Sequence, residues 1–274
     1  MKKMKNYLLF ALLALISTNL FAYEDFDMDG VENKVDKCPN TLFSDLVDIR
    51  GCTIKSLVSK RELDLILGVS YGDSDYQTLK KTDTFATSVQ VDYYYKNFSF
   101  QASTSYFDTA GSGYDDKGFY DSFLGAAYTF KAGDSLLASV GVGVILPTYD
   151  NSLNNNNADY MASANLSYSL DKINVFGGYS HTLVNDNDVA GIVSYQNASA
   201  VSGGLGYHFD EDLYASASYN SSDSVYVGVE DVQTASIYAN YTIDEHWFAM
   251  FGYAYGLSDS ASGNYVSFRL GYFF

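Results

Sequence analysis

The chain is short of the residues on which most functional classes depend. Its 274 residues include 16 lysines and arginines against 33 aspartates and glutamates, a formal net charge of −17. Arg50, Arg61 and Arg269 are the only arginines. Phosphate contacts need clustered Lys and Arg, so nucleic acid is excluded as a partner. There are two cysteines, Cys38 and Cys52, and three histidines, none near that pair. A structural zinc site, which needs two further ligands, is therefore not expected. Only two prolines are present. Long apolar runs are also missing. The one at 7–16 falls well short of the roughly 20 residues a membrane-spanning helix requires. A chain of this kind can cross a bilayer only as a closed barrel, because lipid satisfies no open sheet edge.

What is abundant fits such a barrel: 26 Tyr, 18 Phe and 22 Gly. After residue 60 no segment keeps a helical period. Apolar and small or polar residues alternate instead, in segments of about ten, the length of a tilted membrane strand. The pattern predicts twelve strands, at 63–71, 85–95, 98–106, 119–130, 135–146, 159–170, 173–183, 196–209, 213–219, 232–243, 247–255 and 265–274. Connections at 96–97, 131–134, 171–172, 210–212 and 244–246 are short, and the intervening ones are mostly longer. Alternation of short turns with long loops is the rule for up-and-down barrels. The expected fold is all-β, a 12-stranded antiparallel up-and-down transmembrane β-barrel over 60–274, with a short irregular segment before it.

One face of each expected strand is apolar and points outward. The other is small and polar, as in Ser139, Gly141 and Gly143, or Ser163, Asn165, Ser167 and Ser169. Twelve strands about 4.8 Å apart, tilted near 40°, enclose a backbone radius of roughly 12 Å. Small side chains leave that space open to water unless a loop or the amino-terminal segment enters it. The inward charges are then informative: Glu62, Asp64, Asp92 and Asp121, with Arg269 placed to pair with Asp64 or Asp92. They read either as water-exposed groups of little individual weight or as a weak cation-favouring constriction. The outer loops are acidic and read as a solvated, mobile surface, with Asn154 to Asn157 as a polar loop tip.

The front of the chain has the parts of an export signal over 1–22: Lys2, Lys3 and Lys5, the apolar run, and Leu20-Phe21-Ala22 as a cleavage site. Export favours a disulfide between the close pair Cys38 and Cys52. Closing a loop of about 15 residues contributes on the order of 3 kcal/mol in the chain-entropy account. Segment 23–59 opens with Asp25, Asp27 and Asp29 at positions 1, 3 and 5 of a loop, Gly30 at 6 and Asp36 at 12. Val31 at position 7 can lend its carbonyl and Asn33 at position 9 can ligate directly or through water, which is a calcium pattern. A solvated acidic linker is the plainer alternative.

Two resemblances sharpen these expectations. Residues 25–52, with the acidic loop followed by Cys38-Pro39-Asn40 and Asp48-Ile49-Arg50-Gly51-Cys52, resemble a thrombospondin type 3 repeat. The resemblance implies structural calcium held by Asp25, Asp27, Asp29 and Asp36, a Cys38–Cys52 bond, and a periplasmic position. The terminal alternation of Val266, Phe268, Leu270, Tyr272 and Phe274 resembles the closing strand of bacterial outer-membrane β-barrels. There the resemblance implies an insertion signal read by the barrel-assembly machinery, and an outer membrane of lipid and lipopolysaccharide around the protein.

Taken together, the residues favour a passive or weakly cation-favouring channel for small solutes, not an enzyme. The alternative is a structural or surface-interaction barrel. Twelve strands also match the outer-membrane phospholipase A family, but the nearest stretch, His181-Thr182-Leu183-Val184-Asn185, has no serine at the nucleophile position.

Overall fold

The computed structural model describes residues 63–74, 82–111, 114–131, 135–149 and 155–274. The export signal, segment 23–59 with Asp25, Asp27, Asp29, Val31, Asn33, Asp36, Cys38 and Cys52, and the lumen candidate Glu62 lie outside the described residues.

Thirteen strands are found among the described residues: β1 (Leu63–Ser74), β2 (Thr82–Tyr95), β3 (Phe98–Gly111), β4 (Tyr114–Phe119), β5 (Ser122–Lys131), β6 (Leu136–Leu146), β7 (Asp159–Leu170), β8 (Ile173–Leu183), β9 (Ala198–His208), β10 (Leu213–Ser222), β11 (Val232–Thr242), β12 (Trp247–Gly256) and β13 (Asn264–Phe273). Every pairing is antiparallel. β2 pairs with both β1 and β3, while β1 pairs with β13, so the sheet closes on itself. β4 and β5 share one partner, β3, and fill one position in the wall. The barrel therefore has twelve positions.

Alternation explains why this sequence rolls up. Successive side chains on a strand face opposite ways, so one apolar and one polar face per strand becomes an apolar outside and a polar inside once the edges meet. The outside is lined by exposed large apolar groups on every side, including Val69, Val142 (65% exposed), Leu166, Leu205, Ile237 and Phe268 (50%). In a water-soluble protein such a continuous apolar surface is rare. The seam is bonded at both ends. The Phe274 amide donates to the Leu63 carbonyl (3.0 Å) at the end with the short turns. At the loop end, Asp73 Oδ1 accepts from the Asn264 amide (2.5 Å) and the Asp73 carbonyl accepts from the Gly263 amide (2.8 Å).

The structure departs from the sequence expectation in one strand. A single strand over 119–130 was predicted; instead the wall breaks at 120–121. Phe119 lies opposite Tyr106, and Phe123 opposite Ser103. Thr104 and Ser105 thus face three residues, Tyr120, Asp121 and Ser122, and the extra one is a β-bulge that flips the face of everything beyond it. The longer connection expected between the strands at 98–106 and 119–130 is correspondingly short, because β3 runs on to Gly111 and pairs with β4 up to Tyr114.

Part of the loop end is tied together among the described residues. Asn155 is 4% exposed, and its Nδ2 donates to the Asn187 carbonyl (2.9 Å) and the Tyr195 hydroxyl (3.1 Å). The Asn157 amide donates to Asp186 (2.7 Å), and the Asn185 amide to Asp159 (2.7 Å). Tyr195 in turn pairs with Tyr226. Asn155 and Asn157, expected as part of a polar loop tip, instead help tie three connections together.

Candidate functional site: the barrel lumen

Cross-strand register decides what lines the lumen. On β1, Asp64, Ile66, Gly68, Ser70 and Gly72 face inward, opposite Asp92, Gln90, Ser88, Ala86 and Thr84 of β2. On the far side Ser163, Asn165 and Ser167 of β7 face inward, opposite Ser180, Gly178 and Phe176 of β8. The inside is rich in hydroxyl and amide groups, but it also holds rings: Phe107, Phe123, Phe176, Tyr214, Tyr238, Phe248, Tyr265 and Phe273 occupy inward positions.

Several of these rings lie flat against the wall because a neighbouring glycine leaves room. The Phe123 ring covers Gly125 and Gly143, and a Cβ on Gly125 would come within 2.6 Å of it. Phe176 covers Gly204 in the same way, at 2.5 Å. Tyr214 crosses Gly206 to bring its hydroxyl to Asn174 Oδ1 (3.4 Å), and Phe248 covers Gly271 and packs on Phe273 with ring centres 4.4 Å apart. A Cβ at Gly125, Gly206 or Gly271 would force the ring out of its place, and at Gly204 it would also meet the Ala217 carbonyl, at 2.5 Å. Close approach, not turn geometry, is what glycine supplies here.

Near the turn end the inward charges meet. Asp64 and Asp92 stand directly opposite each other and are 7% and 9% exposed. Like charges in that position repel. Two neighbours offset this: Tyr94 hydrogen-bonds Asp64, and Gln90 Nε2 donates to Asp92 Oδ2 (2.7 Å). Arg269 lies with its stem across Gly68 and donates from Nη1 to Gln90 Oε1 (3.4 Å), so it reaches Asp92 through the amide of Gln90. Asp64, Asp92 and Arg269 are thus brought together on β13, β1 and β2. Asp121, expected inward on a strand, sits in the break. Its carboxylate accepts from the Tyr149 amide (2.9 Å) and from Asn156 Nδ2 (2.9 Å), both in the β6–β7 connection. Tyr149 also donates from its hydroxyl to Asp116 (3.0 Å) and its ring lies beside Phe107, which already stacks on Tyr120 at 4.5 Å. This aromatic group lies on one side of the loop end.

Two hollows indent the lumen wall between these ends. One, of about 330 Å³, lies on β13, β1, β2 and β3 and includes Tyr120, Tyr265 and Arg269. The other, of about 210 Å³, lies on β7 to β11 and is lined inside by Ser163, Asn165, Ser202, Asn220 and Thr234, with no charge. The closing residues Phe268, Leu270, Tyr272 and Phe274 all face outward, where Tyr272 packs on Trp247 (4.9 Å) and Phe274 (4.8 Å).

His181 faces outward and its Nδ1 lies 3.0 Å from Ser199 Oγ. Among the described residues nothing holds its other ring nitrogen, so this pair lacks the third group that orients a catalytic base. Among the described residues no three His, Cys, Asp or Glu converge as a metal site. Alternation along the second strand already puts Gln90 and Tyr94 on its inward face beside Asp92. What it does not give are their bonds to Asp92 and Asp64 and the ring–glycine pairs, most of which cross from one strand to the next.

No protein-family model matches this chain, and no curated protein does. Among solved structures it is similar to an outer membrane channel from Pseudomonas putida F1, with a TM-score of 0.65 at 10% identity, covering 77% of this chain and 95% of that one. It is also similar to the NanC porin, with a TM-score of 0.50 at 18% identity, covering 77% of this chain and 98% of that one. At these identities the likeness is one of fold: a closed antiparallel barrel.

Proposed function

We propose that the chain is an outer-membrane barrel that passes small hydrophilic solutes by diffusion, with a weak preference for cations set at the neck by Asp64 and Asp92 against Arg269. The observation that carries this reading is a ring-closed wall, apolar outside, with a mostly small and polar inner face on which Phe123, Phe176, Tyr214 and Phe248 lie over glycines. Outer-membrane channels of similar fold support it. In planar bilayers of the purified full chain, a persistent ohmic current is the expected result, and silence from folded protein would refute it. Under a potassium chloride gradient the reversal potential should have the sign of modest cation selectivity.

The aromatic group Phe107–Tyr120–Tyr149 favours a second reading, a structural barrel closed at the loop end. The same measurement separates the two.

The outward face of Phe268, Leu270, Tyr272 and Phe274 suits a signal for the barrel-assembly machinery. Segment 23–59 is proposed to hold structural calcium through Asp25, Asp27, Asp29, Val31, Asn33 and Asp36, with Cys38 bonded to Cys52. Calorimetric titration of the full chain with calcium should show one site, lost in the Asp27→Asn/Asp29→Asn double variant. Equal heats from both proteins would refute the assignment.

A further inference from the structure

We infer that the 330 Å³ hollow on β13, β1, β2 and β3 is a binding station for an uncharged polyhydroxylated solute of monosaccharide size. The inference rests on the channel reading above and names a class of cargo for it.

The hollow is at the small end of the roughly 300–1,000 Å³ range typical of ligand pockets. Its hydroxyls fall into two sets. Ser74 is bonded to Ser262 (3.1 Å) and Thr84 to Thr109 (2.8 Å). Ser70, Ser88, Ser105 and Ser267 face the same space with no side-chain hydrogen bond to another described residue. A hydroxyl both donates and accepts, so a polyol can replace the water on such a set group for group, whereas an apolar or purely anionic solute cannot.

Tyrosine rings flank this set. Tyr265 sits at an inward position of β13 with its ring against Gly72, where a Cβ would lie 3.5 Å from it. Tyr120 is held over Phe107 by the bulge. Rings of this kind offer an apolar surface with a polar tip, which suits the C–H face of a sugar. Arg269 closes the floor with five N–H donors, of which one is engaged by a described residue, at 3.4 Å.

Charge selects the neutral member of the class. Arg269 shares the neck with Asp64 and Asp92, so the described groups there sum to a negative charge and an anion gains little from the single guanidinium. The facing hollow on β7 to β11 has hydroxyls and amides but no tyrosine ring on its inward side and no arginine.

The test is current block by D-glucose, with gluconate as the anion of similar size. Glucose should reduce the single-channel current saturably, beyond the fall in bulk conductivity. Tyr265→Ala should raise the half-saturating concentration about tenfold, and Ser105→Val, which removes one hydroxyl and keeps the wall, at least threefold. Ser202→Ala in the facing hollow should leave it unchanged. A current that only tracks bulk conductivity, equal half-saturation in all three variants, or tighter block by gluconate would each overturn the assignment. Saturation-transfer NMR of glucose with the folded protein in detergent reads the station without any current. A signal lost in Ser105→Val from a silent barrel would refute the channel and keep the station; no signal would refute the station.

Discussion

Across the lumen, glycine does two different things. On the β8–β12 side it seats rings: Phe176 over Gly204, Tyr214 over Gly206, and Phe248 over Gly271 where β12 meets β13. On the β13–β1–β2 side it also seats a charged stem, Arg269 across Gly68, while the next glycine of β1, Gly72, has the Tyr265 ring against it. The first wall is neutral over its middle and follows the register without interruption. The second carries Asp64, Asp92 and Arg269 and, two strands on, the bulge at Tyr120–Ser122. The comparison teaches that inward aromatic rings can be laid against a barrel wall where a glycine on a neighbouring position leaves room. It also shows the inward charges gathered on one arc while the other is neutral over its middle.

The sharpest way to break this contrast is to fill a ring seat. Gly206→Ala puts a methyl group where the Tyr214 hydroxyl and ring lie, an overpacking that should cost about 1–3 kcal/mol. The urea midpoint of the folded barrel should fall accordingly. The damage should be mostly absent when Gly206→Ala is made in a Tyr214→Ala background, since the two sites share one space. Gly203→Ala is the control. It faces outward, where its Cβ would meet only the Phe176 carbonyl at 3.8 Å, and should change stability by less than about 0.5 kcal/mol. Equal losses at 206 and 203 would show that glycine matters here for backbone reasons and not for ring seating.

Charge on the other arc should act on selectivity and hardly on stability. A unit charge about 4 Å from an ion in water is worth roughly 1 kcal/mol, so removing one should alter the potassium-to-chloride permeability ratio by about two- to fivefold. Arg269→Gln should raise the ratio and Asp92→Asn should lower it. Both changes should shrink toward 1 M salt, where the screening length is about 3 Å. His208→Gln, at an inward position of the neutral wall, should do neither. If Asp92→Asn and His208→Gln behave alike, the neck is not where selectivity is set.

The two walls were also unequally legible in the sequence. Alternation alone placed Asp64, Asp92 and Arg269 on inward faces, and it placed eleven of the twelve wall positions to within a few residues, because each strand's outer face is continuously apolar. It could not see the bulge. Phe119-Tyr120-Asp121-Ser122-Phe123 contains no glycine or proline to mark a break, and the extra residue exists only relative to Thr104 and Ser105 on the neighbouring strand. The ring seats were hidden for the same reason. Gly206 and Tyr214 are separated by a turn, and nothing in either strand says that Tyr214 leans across β9 toward Asn174 on β8. Asn155 was read as a loop tip because asparagine-rich runs are polar, although its amide is what draws the connections of the neutral wall together.

The bulge itself offers the smallest and most discriminating effect. Asp121 Oδ1 accepts both the Tyr149 amide and Asn156 Nδ2, so Asp121→Asn keeps an oxygen able to accept both and should shift stability by less than about 0.5 kcal/mol. Asp121→Ala strands a part-buried amide that water can only partly satisfy, which should cost about 1 kcal/mol and free Tyr149 to move at the mouth. The expected readout is a slightly lower urea midpoint together with noisier open-channel current, while Ser202→Ala on the uninterrupted wall leaves both unaltered. If Asp121→Ala matches wild type in both respects, the irregularity is held by the backbone bond from the Tyr120 amide to the Ser105 carbonyl (2.9 Å) and by the hydroxyl pair of Ser122 with Thr104 (2.9 Å). The carboxylate would then be a passenger, and the charged arc would owe its shape to the extra residue alone.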